Sequence, residues 1–342
     1  MTESVSLAEK IEYLTSGRAF PDRPDRVETI ETHFAWVFLS PQYAYKLKKP
    51  IRFGLIDFRE LEARHAYCEL EVTLNRRLAE AVYQRVVPLV GTASDIVLGD
   101  DGGGETVDWL VEMRRLPDNA TLADASRGSL PTEDVLARIA QKLIAFYART
   151  PPAPWDGPAY VEAVRRSSAS IADDALAAGG EACGLPPHAV RRVAALQLEF
   201  IAAHQELLAR RAAEGRVVDA HGDLRAEHVF LTEPLQIIDC LEFSVALRWL
   251  DAAEEVSFLA LDCDRLGLGT AGERLLALYR RLADDAVPEP LLLFYRSRRA
   301  LSRAVLAAWR VPEPSSDAAA WRDRARWYLD ACEKSITAAS RE

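Results

Sequence analysis

Several things are scarce or missing in this 342-residue chain, and each absence excludes something. Cysteines number five (Cys68, Cys183, Cys240, Cys263 and Cys332), scattered, odd in count and without CxxC spacing. They predict neither a disulfide framework nor a zinc site, but reduced thiols in a cytoplasmic protein. The first residues, MTESVSLAEKIEYL, lack a basic region followed by an apolar core, so they read as something other than a signal peptide. No apolar run approaches the length that crosses a bilayer. No Lys/Arg-rich run stands out and the formal charge is −10, so neither nucleic acid nor an anionic membrane surface is expected as main partner. The glycine pattern GxxxxGK[ST] is missing, no GxGxxG stands near Thr32 and His33 in the strand-like first part of the chain, and there is no internal repeat or low-complexity segment.

What is present is ordinary in balance: 49% apolar and 27% charged residues, in a chain long enough for two lobes with separate cores. From about residue 27 to 116 the texture is strand-like. VETIET, HFAWVFLS, YAYKLKK, VYQRVVPLV, DIVLG and TVDWLVEMRRL are short runs rich in β-branched and aromatic residues, and GDDGGGE reads as a hairpin turn before the last. FRELEARHAYCELEVTLNRRLAEAVY interrupts them as one helix, with Leu61, Leu70, Leu74 and Leu78 at helical spacing.

After LPDN the pattern turns helical. TEDVLARIAQKLIAFYAR opens with a cap at Thr132, and PPAPW reads as a linker. AYVEAVRRSSASIADDAL and the stretch from Pro187 to Gly215 predict one helix each. VVDAHGDLRAEHVFLTEPLQIIDCLEF (217–243) reads strand–loop–strand, and everything from RWLDAAEEVSFLALDCDRLG onward reads as helix. The expected architecture is α+β: a small antiparallel β lobe with one helix over 1–115, then a larger, mainly helical lobe over 116–342 with an embedded hairpin.

Titratable groups inside apolar strands are costly unless paired, which draws attention to HGDLRAEH and IIDCLEF. With HGDL placed in the second lobe and IID-x-x-E downstream, the chain resembles the aminoglycoside phosphotransferase-like group of the protein-kinase-like fold. Within it, a bacterial phosphotransferase-like branch is most similar, over roughly His33 to Arg303. The resemblance implies transfer of a phosphoryl group from ATP or GTP, with Mg²⁺ or Mn²⁺, to a hydroxyl of a small molecule. It makes Asp223 the acceptor of the hydroxyl proton, with His221 and Arg225 beside it in the catalytic loop, and Asp239 the metal-holding carboxylate. Glu242 has an acid's place in the same pattern, and an exposed strand-end carboxylate explains it equally well.

One position departs from the pattern, because His228 stands where an Asn is expected. Imidazole suits Mn²⁺ or Zn²⁺ better than Mg²⁺. Three roles stay open for it: metal ligand, cation on a phosphate, or mark of a lost second metal. The rival reading is therefore a nucleotide-binding pseudokinase with a regulatory or interaction role. A metal-dependent hydrolase is disfavoured, since further His/Asp ligands at suitable spacing are missing.

The resemblance places the nucleotide clamp in the first lobe. Lys46 is preferred to Lys48 as its lysine, although strand alternation turns both to one side. Glu71 is preferred to Glu69 as the carboxylate that holds it. A glycine-poor loop near Thr32 and His33 would cover the phosphates. Backbone groups of Glu112, Met113 and Arg114 would meet the adenine, with Met113 lining its pocket or packing in the core. Asp251 is expected as a helix N-cap or loop anchor, and Arg299 and Arg303 as partners of acids or as substrate contacts. The residue types of the C-terminal helices do not distinguish one acceptor, or one oligomeric state, from another.

Overall fold

The computed structural model describes residues 5–53, 56–91, 96–99, 104–313 and 317–341, so most of GDDGGGE lies outside the described residues. By its contacts the chain divides into two units, Met1–Leu122 with Glu227–Val245, and Ala123–Ala226 with Ala246–Glu342.

The first unit is built on one antiparallel sheet. Its strands are β1 (Glu28–Glu31), β2 (Ala35–Leu39), β3 (Tyr43–Lys48), β6 (Tyr83–Gly91), β7 (Ile96–Leu98) and β8 (Glu105–Arg114), in the order β1-β2-β3-β8-β6-β7. Two-residue strands β4 (Arg52–Phe53) and β5 (Ile56–Asp57) pair ahead of α2 (Leu61–Ala79), which packs on β6 and β8.

Alternation along β3 divides the core. Tyr45 and Leu47 join Phe20, Phe38 and Leu110 on one face, where the Phe20 and Tyr45 rings stack at 4.6 Å. Ala44 joins Cys68, Val72 and Val111 on the other.

A helix precedes the sheet that the hydrophobic pattern does not announce. α1 (Leu7–Thr15) starts at a capping box, in which the Ser6 hydroxyl accepts from the Glu9 amide and the Glu9 carboxylate accepts from the Ser6 amide. The signal was legible as SLAE. Lys10 of this helix and Arg64 of α2 both reach the buried Asp108 on β8, at 2.8 and 2.7 Å.

The buried stripe of α2 includes Leu74 and Leu78 but not Leu70, which is 37% exposed, and it also takes in Arg64, Cys68, Glu71, Val72 and Asn75. The hairpin of β10 (Val229–Phe230) and β11 (Gln236–Ile237) groups with this sheet unit, where a division at residue 115 put it with the helices. The amide of Asp239 donates to the Tyr83 hydroxyl and that of Cys240 to Asn75 Oδ1, which ties the segment to β6 and α2.

The second unit is mainly helical: α3 (Glu133–Arg149), α4 (Gly157–Ala177), α5 (Pro187–Ala203), α6 (Gln205–Ala213), α8 (Ala252–Arg265), α9 (Ala271–Leu282), α10 (Glu289–Arg310) and α11 (Ala318–Ala339). A helical turn, α7 (Val245–Arg248), leads into it. Thr132 caps α3 as expected. The expected single helix over 187–215 is two, because His204 leaves helical geometry at φ −118° while its ring stacks on Phe200 at 4.0 Å. Trp249–Asp251, expected helical, is strand β12 and pairs antiparallel with β9 (Val217–Asp219). The VVDA run therefore partners WLD, not LQIID. Three residues are too few to carry a periodic signal, and burial of Leu250 decides the pairing.

Among the described residues no helix is long and apolar enough to cross a membrane. All five cysteines are free thiols, and burial pushes those of Cys68 and Cys263 up to about 12.

The second unit contains a buried ionic cluster. Arg211 binds both oxygens of Asp251 at 2.6 and 2.7 Å and reaches Asp285 Oδ2 at 2.8 Å. Tyr295 and Tyr279 donate to the same two carboxylates. Burial alone would raise the Asp285 pKa, but the hydrogen bond and charge of Arg211 outweigh it and hold the group below the usual carboxylate range. A depressed carboxylate stabilises the fold above its unfolded pKa and loses that contribution as pH falls through the folded one. We expect Asp285→Asn to cost about 3–5 kcal/mol at neutral pH, as for a buried pair broken on one side. Urea titrations should show wild type and variant converging below about pH 4; a gap independent of pH would refute this origin.

Candidate active site

On the α2 side of β3, Lys46 and Lys48 project in parallel, two residues apart, onto one carboxylate. Lys46 Nζ lies 2.7 Å from Glu71 Oε1 and Lys48 Nζ 2.6 Å from Oε2. Each lysine then reaches a second acid in the hairpin segment: Lys46 to Asp239 Oδ1 at 3.1 Å, Lys48 to Glu242 Oε1 at 2.5 Å. Burial would raise the Glu71 pKa, and the charges of Lys46 and Lys48 more than reverse this. Burial would likewise lower that of Lys46, but Asp239 and then Glu71 hold it well above the usual lysine value. Glu71, Lys46 and Lys48 are thus ionised near neutrality. The two lysines differ in access: the Lys46 side chain is 16% exposed and that of Lys48 2%. Lys46 is the more accessible of the two, while Lys48 ties Glu242 to the helix. Glu69 is exposed, near His65.

Asp239 adopts φ +64°, the left-handed region that a non-glycine residue enters at a cost of roughly 1–3 kcal/mol. The strain is held by the Tyr83 and Asn75 hydrogen bonds on either side. Burial, followed by the charges of Glu71 and Asp239, pushes the Tyr83 hydroxyl well above its ordinary pKa, so it stays protonated. Unlike Glu71, the Asp239 side chain is 47% exposed. His228, at the start of the hairpin, is buried and sets Nε2 3.5 Å from Asp239 Oδ2.

Among the described residues no three His, Cys, Asp or Glu side chains cluster to hold a metal by themselves. The donor set of one half-exposed carboxylate and one imidazole does fit a divalent cation that takes its other ligands from phosphate and water, as Mg²⁺ commonly does.

The strand expected to face the adenine has its polar groups largely committed. Glu112 is buried and its carboxylate accepts from Tyr45 and Arg85. Met113 packs in the α2-side core. Arg114 is exposed, and its amide donates to Val82 O while that of Arg115 donates to Gln42 O. Among the described residues, Leu116 carries the first amide past β8 without such a partner. The Thr32–His33 turn is closed by Thr32, whose amide and hydroxyl both donate to Ala35 O.

In the second unit the HGD turn is anchored from α8. The amides of His221 and Gly222 donate to Glu255 at 3.1 and 2.6 Å, and Tyr147 donates to the same carboxylate at 2.8 Å. Gly222 sits at φ +91°, where a side chain would be strained. Fully buried, His221 takes the Asp223 amide on Nδ1 at 3.3 Å, so its part is to shape the turn. The Asp223 carboxylate meets Arg225 Nε at 2.9 Å and Arg303 Nη1 at 3.6 Å. Asp251 caps α8 through the Ala253 amide, and Arg299 pairs with Glu254 at 3.2 Å. Sequence reasoning missed Glu255 and Tyr147, which hold the turn. Glu255 is one of two adjacent acids in the first turn of a helix whose charged sequence does not announce that every side chain from Ala252 to Cys263 is buried.

No protein-family model matches the chain. Over 298 residues it is 36% identical to uncharacterised proteins of Mycobacterium bovis and Mycobacterium tuberculosis, covering 86% of this chain and 57% of theirs. The chain thus spans little more than half the length of these curated relatives. Among solved structures, it is similar to a choline/ethanolamine kinase family protein from Mesorhizobium loti, with TM-score 0.56, 14% identity and coverage of 98% and 100% of the two chains. It is also similar to a choline kinase from Cryptosporidium parvum, with TM-score 0.53, 10% identity and 96% of each chain covered. A candidate aminoglycoside phosphotransferase from Ralstonia eutropha gives 0.51, 13% identity, and 91% and 92% coverage. At such identities the likeness is one of fold: the chain has the aminoglycoside phosphotransferase-like, protein-kinase-like fold.

Replacing Glu71 by Gln leaves two buried ammonium groups short of an anion, and we expect it to cost about 3–5 kcal/mol. Glu69→Gln should leave stability unchanged. Urea denaturation of both variants decides the matter; equal effects would contradict a central role for Glu71.

Proposed function

We propose that the protein is a phosphotransferase that moves the terminal phosphoryl group of ATP or GTP onto a hydroxyl of a small molecule. One observation carries the reading: Lys46 spans Glu71 and Asp239, with Asp239 held half-exposed in a strained conformation. A structural ion pair needs neither the strain nor the exposure. Functional sites characteristically store both. The fold neighbours named as choline kinase and aminoglycoside phosphotransferase support a small-molecule acceptor.

Lys46, oriented by Glu71, takes phosphate oxygens of the nucleotide. Asp239 and His228 hold the divalent ion, Mg²⁺ or Mn²⁺, which when bound neutralises charge on the phosphates. Leu116 supplies the amide for the adenine edge, two residues beyond the stretch favoured by sequence alone. Asp223 orients the acceptor and accepts its hydroxyl proton, in a turn kept rigid by Glu255.

The test is thermal unfolding with ATP or GTP in Mg²⁺ and in Mn²⁺, for wild type and Asp239→Asn. Asparagine tolerates the left-handed conformation and removes the charge. Ligand at a hundred times its Kd should stabilise the wild type by about 2.7 kcal/mol, and the variant far less. A rise in Mn²⁺ alone would identify His228 as a ligand. Asp223→Asn should keep the rise while turnover falls at least about a hundredfold. No rise in any condition would overturn the reading. A rise without acceptor-dependent turnover would establish the pseudokinase instead.

A further inference from the structure

The carboxylate assigned to the acceptor lies in a cationic setting. Both oxygens of Asp223 face arginine, Arg225 from the same turn and Arg303 from α10. One helical turn before Arg303, Arg299 donates to Gly222 O at 3.3 Å and lies beside Glu254. Glu254 is already held through both oxygens by Arg298, at 2.8 and 2.9 Å. Each of these two acids is therefore shared by two guanidinium groups. The other nearby acids are engaged elsewhere: Glu255 with loop amides and a tyrosine, Asp262 with the Ala226 amide and Arg265. At 3.6 Å the Arg303 contact is longer than a hydrogen bond. Its Nε, and Nη2 of Arg299, are shielded from solvent and have no hydrogen-bond acceptor among the described residues.

An acceptor bearing an ammonium group would be repelled here, since such a ligand calls for surplus carboxylate. A carboxylate or phosphate would instead be taken by a guanidinium fork. We propose that the acceptor is an anionic polyol, carrying a carboxylate or phosphate group, and that Arg303 recognises that group while Asp223 addresses a hydroxyl. The proposal rests on the phosphotransferase reading and specifies its substrate class. In the transfer, the acceptor oxygen bonds to the terminal phosphorus of the nucleoside triphosphate as the bond to the departing nucleoside diphosphate breaks. The hydroxyl proton passes to Asp223.

The experiment leaves out nucleotide, so that loss of the nucleotide reading and loss of this one are told apart. Thermal unfolding of wild type, Arg303→Gln and Arg303→Lys is followed at fixed ionic strength with glycerol 3-phosphate, gluconate, glycerol and choline. The expected result is a saturable rise with at least one of the two anions and none with glycerol or choline. Arg303→Gln should abolish it, with folding of the variant checked by circular dichroism. Arg303→Lys, which keeps the charge without the fork, should weaken half-saturation about tenfold and carries the comparison if the Gln variant does not fold. No rise with either anion, a rise with choline, or an undiminished rise in the variants would overturn the proposal.

Discussion

Glu71 has no access to water, and an isolated carboxylate so placed would take up a proton. It stays charged because β3 turns two lysines to the same face, and because α2 presents Glu71 between Cys68 and Asn75 on its buried stripe. The other ends of those lysines fix the segment that carries Asp239 and Glu242. Sheet, helix and hairpin segment are thus joined by one charge network whose members are each untenable alone. Such a network adds little net stability compared with an apolar core, since desolvation consumes most of the Coulomb gain. Its effect is positional: it sets where Lys46 and Asp239 stand.

The second unit handles its charges by a different device. Glu255 receives two backbone amides and a tyrosine hydroxyl, so a buried carboxyl group organises the HGD turn with no ion pair among the described residues. Arg211 neutralises Asp251 and Asp285 at the root of α8. In each unit a buried acid on a helix, Glu71 in the middle of α2 and Glu255 in the first turn of α8, helps to fix a short irregular segment. The two segments that carry Asp223 and Asp239 include residues in the left-handed region, Gly222 and Asp239 itself. Glycine enters that region freely, whereas Asp239 does so against its preference and is restrained by two neighbours.

His228, standing where the resemblance expects an asparagine, is accommodated by its surroundings. The ring is buried, lies within 3.5 Å of the Asp239 carboxylate, and belongs to the same hairpin. In the metal role proposed for it, this nitrogen donor beside a half-exposed carboxylate would make a softer pair than the expected amide oxygen and would favour Mn²⁺ over Mg²⁺.

By itself the sequence determined most of the strands and long helices and put Glu71, not Glu69, on the buried side of α2. Each rests on local periodicity or on spacing within one element, which short-range sterics and alternation decide. One short pairing was not legible. WLD joined VVD because burial across distant segments outweighs the weak propensity of three residues, and α1 showed itself by a capping box in place of an apolar stripe. The difference between Lys46 and Lys48 also lay beyond the sequence. Strand alternation makes the two equivalent, and only packing exposes one ammonium while burying the other against Glu242. The arginines around Asp223 belong to the same class, since helix α10 meets the HGD turn from some eighty residues downstream. Charge balance at a site is a sum over elements remote in sequence, so the tertiary structure alone decided it.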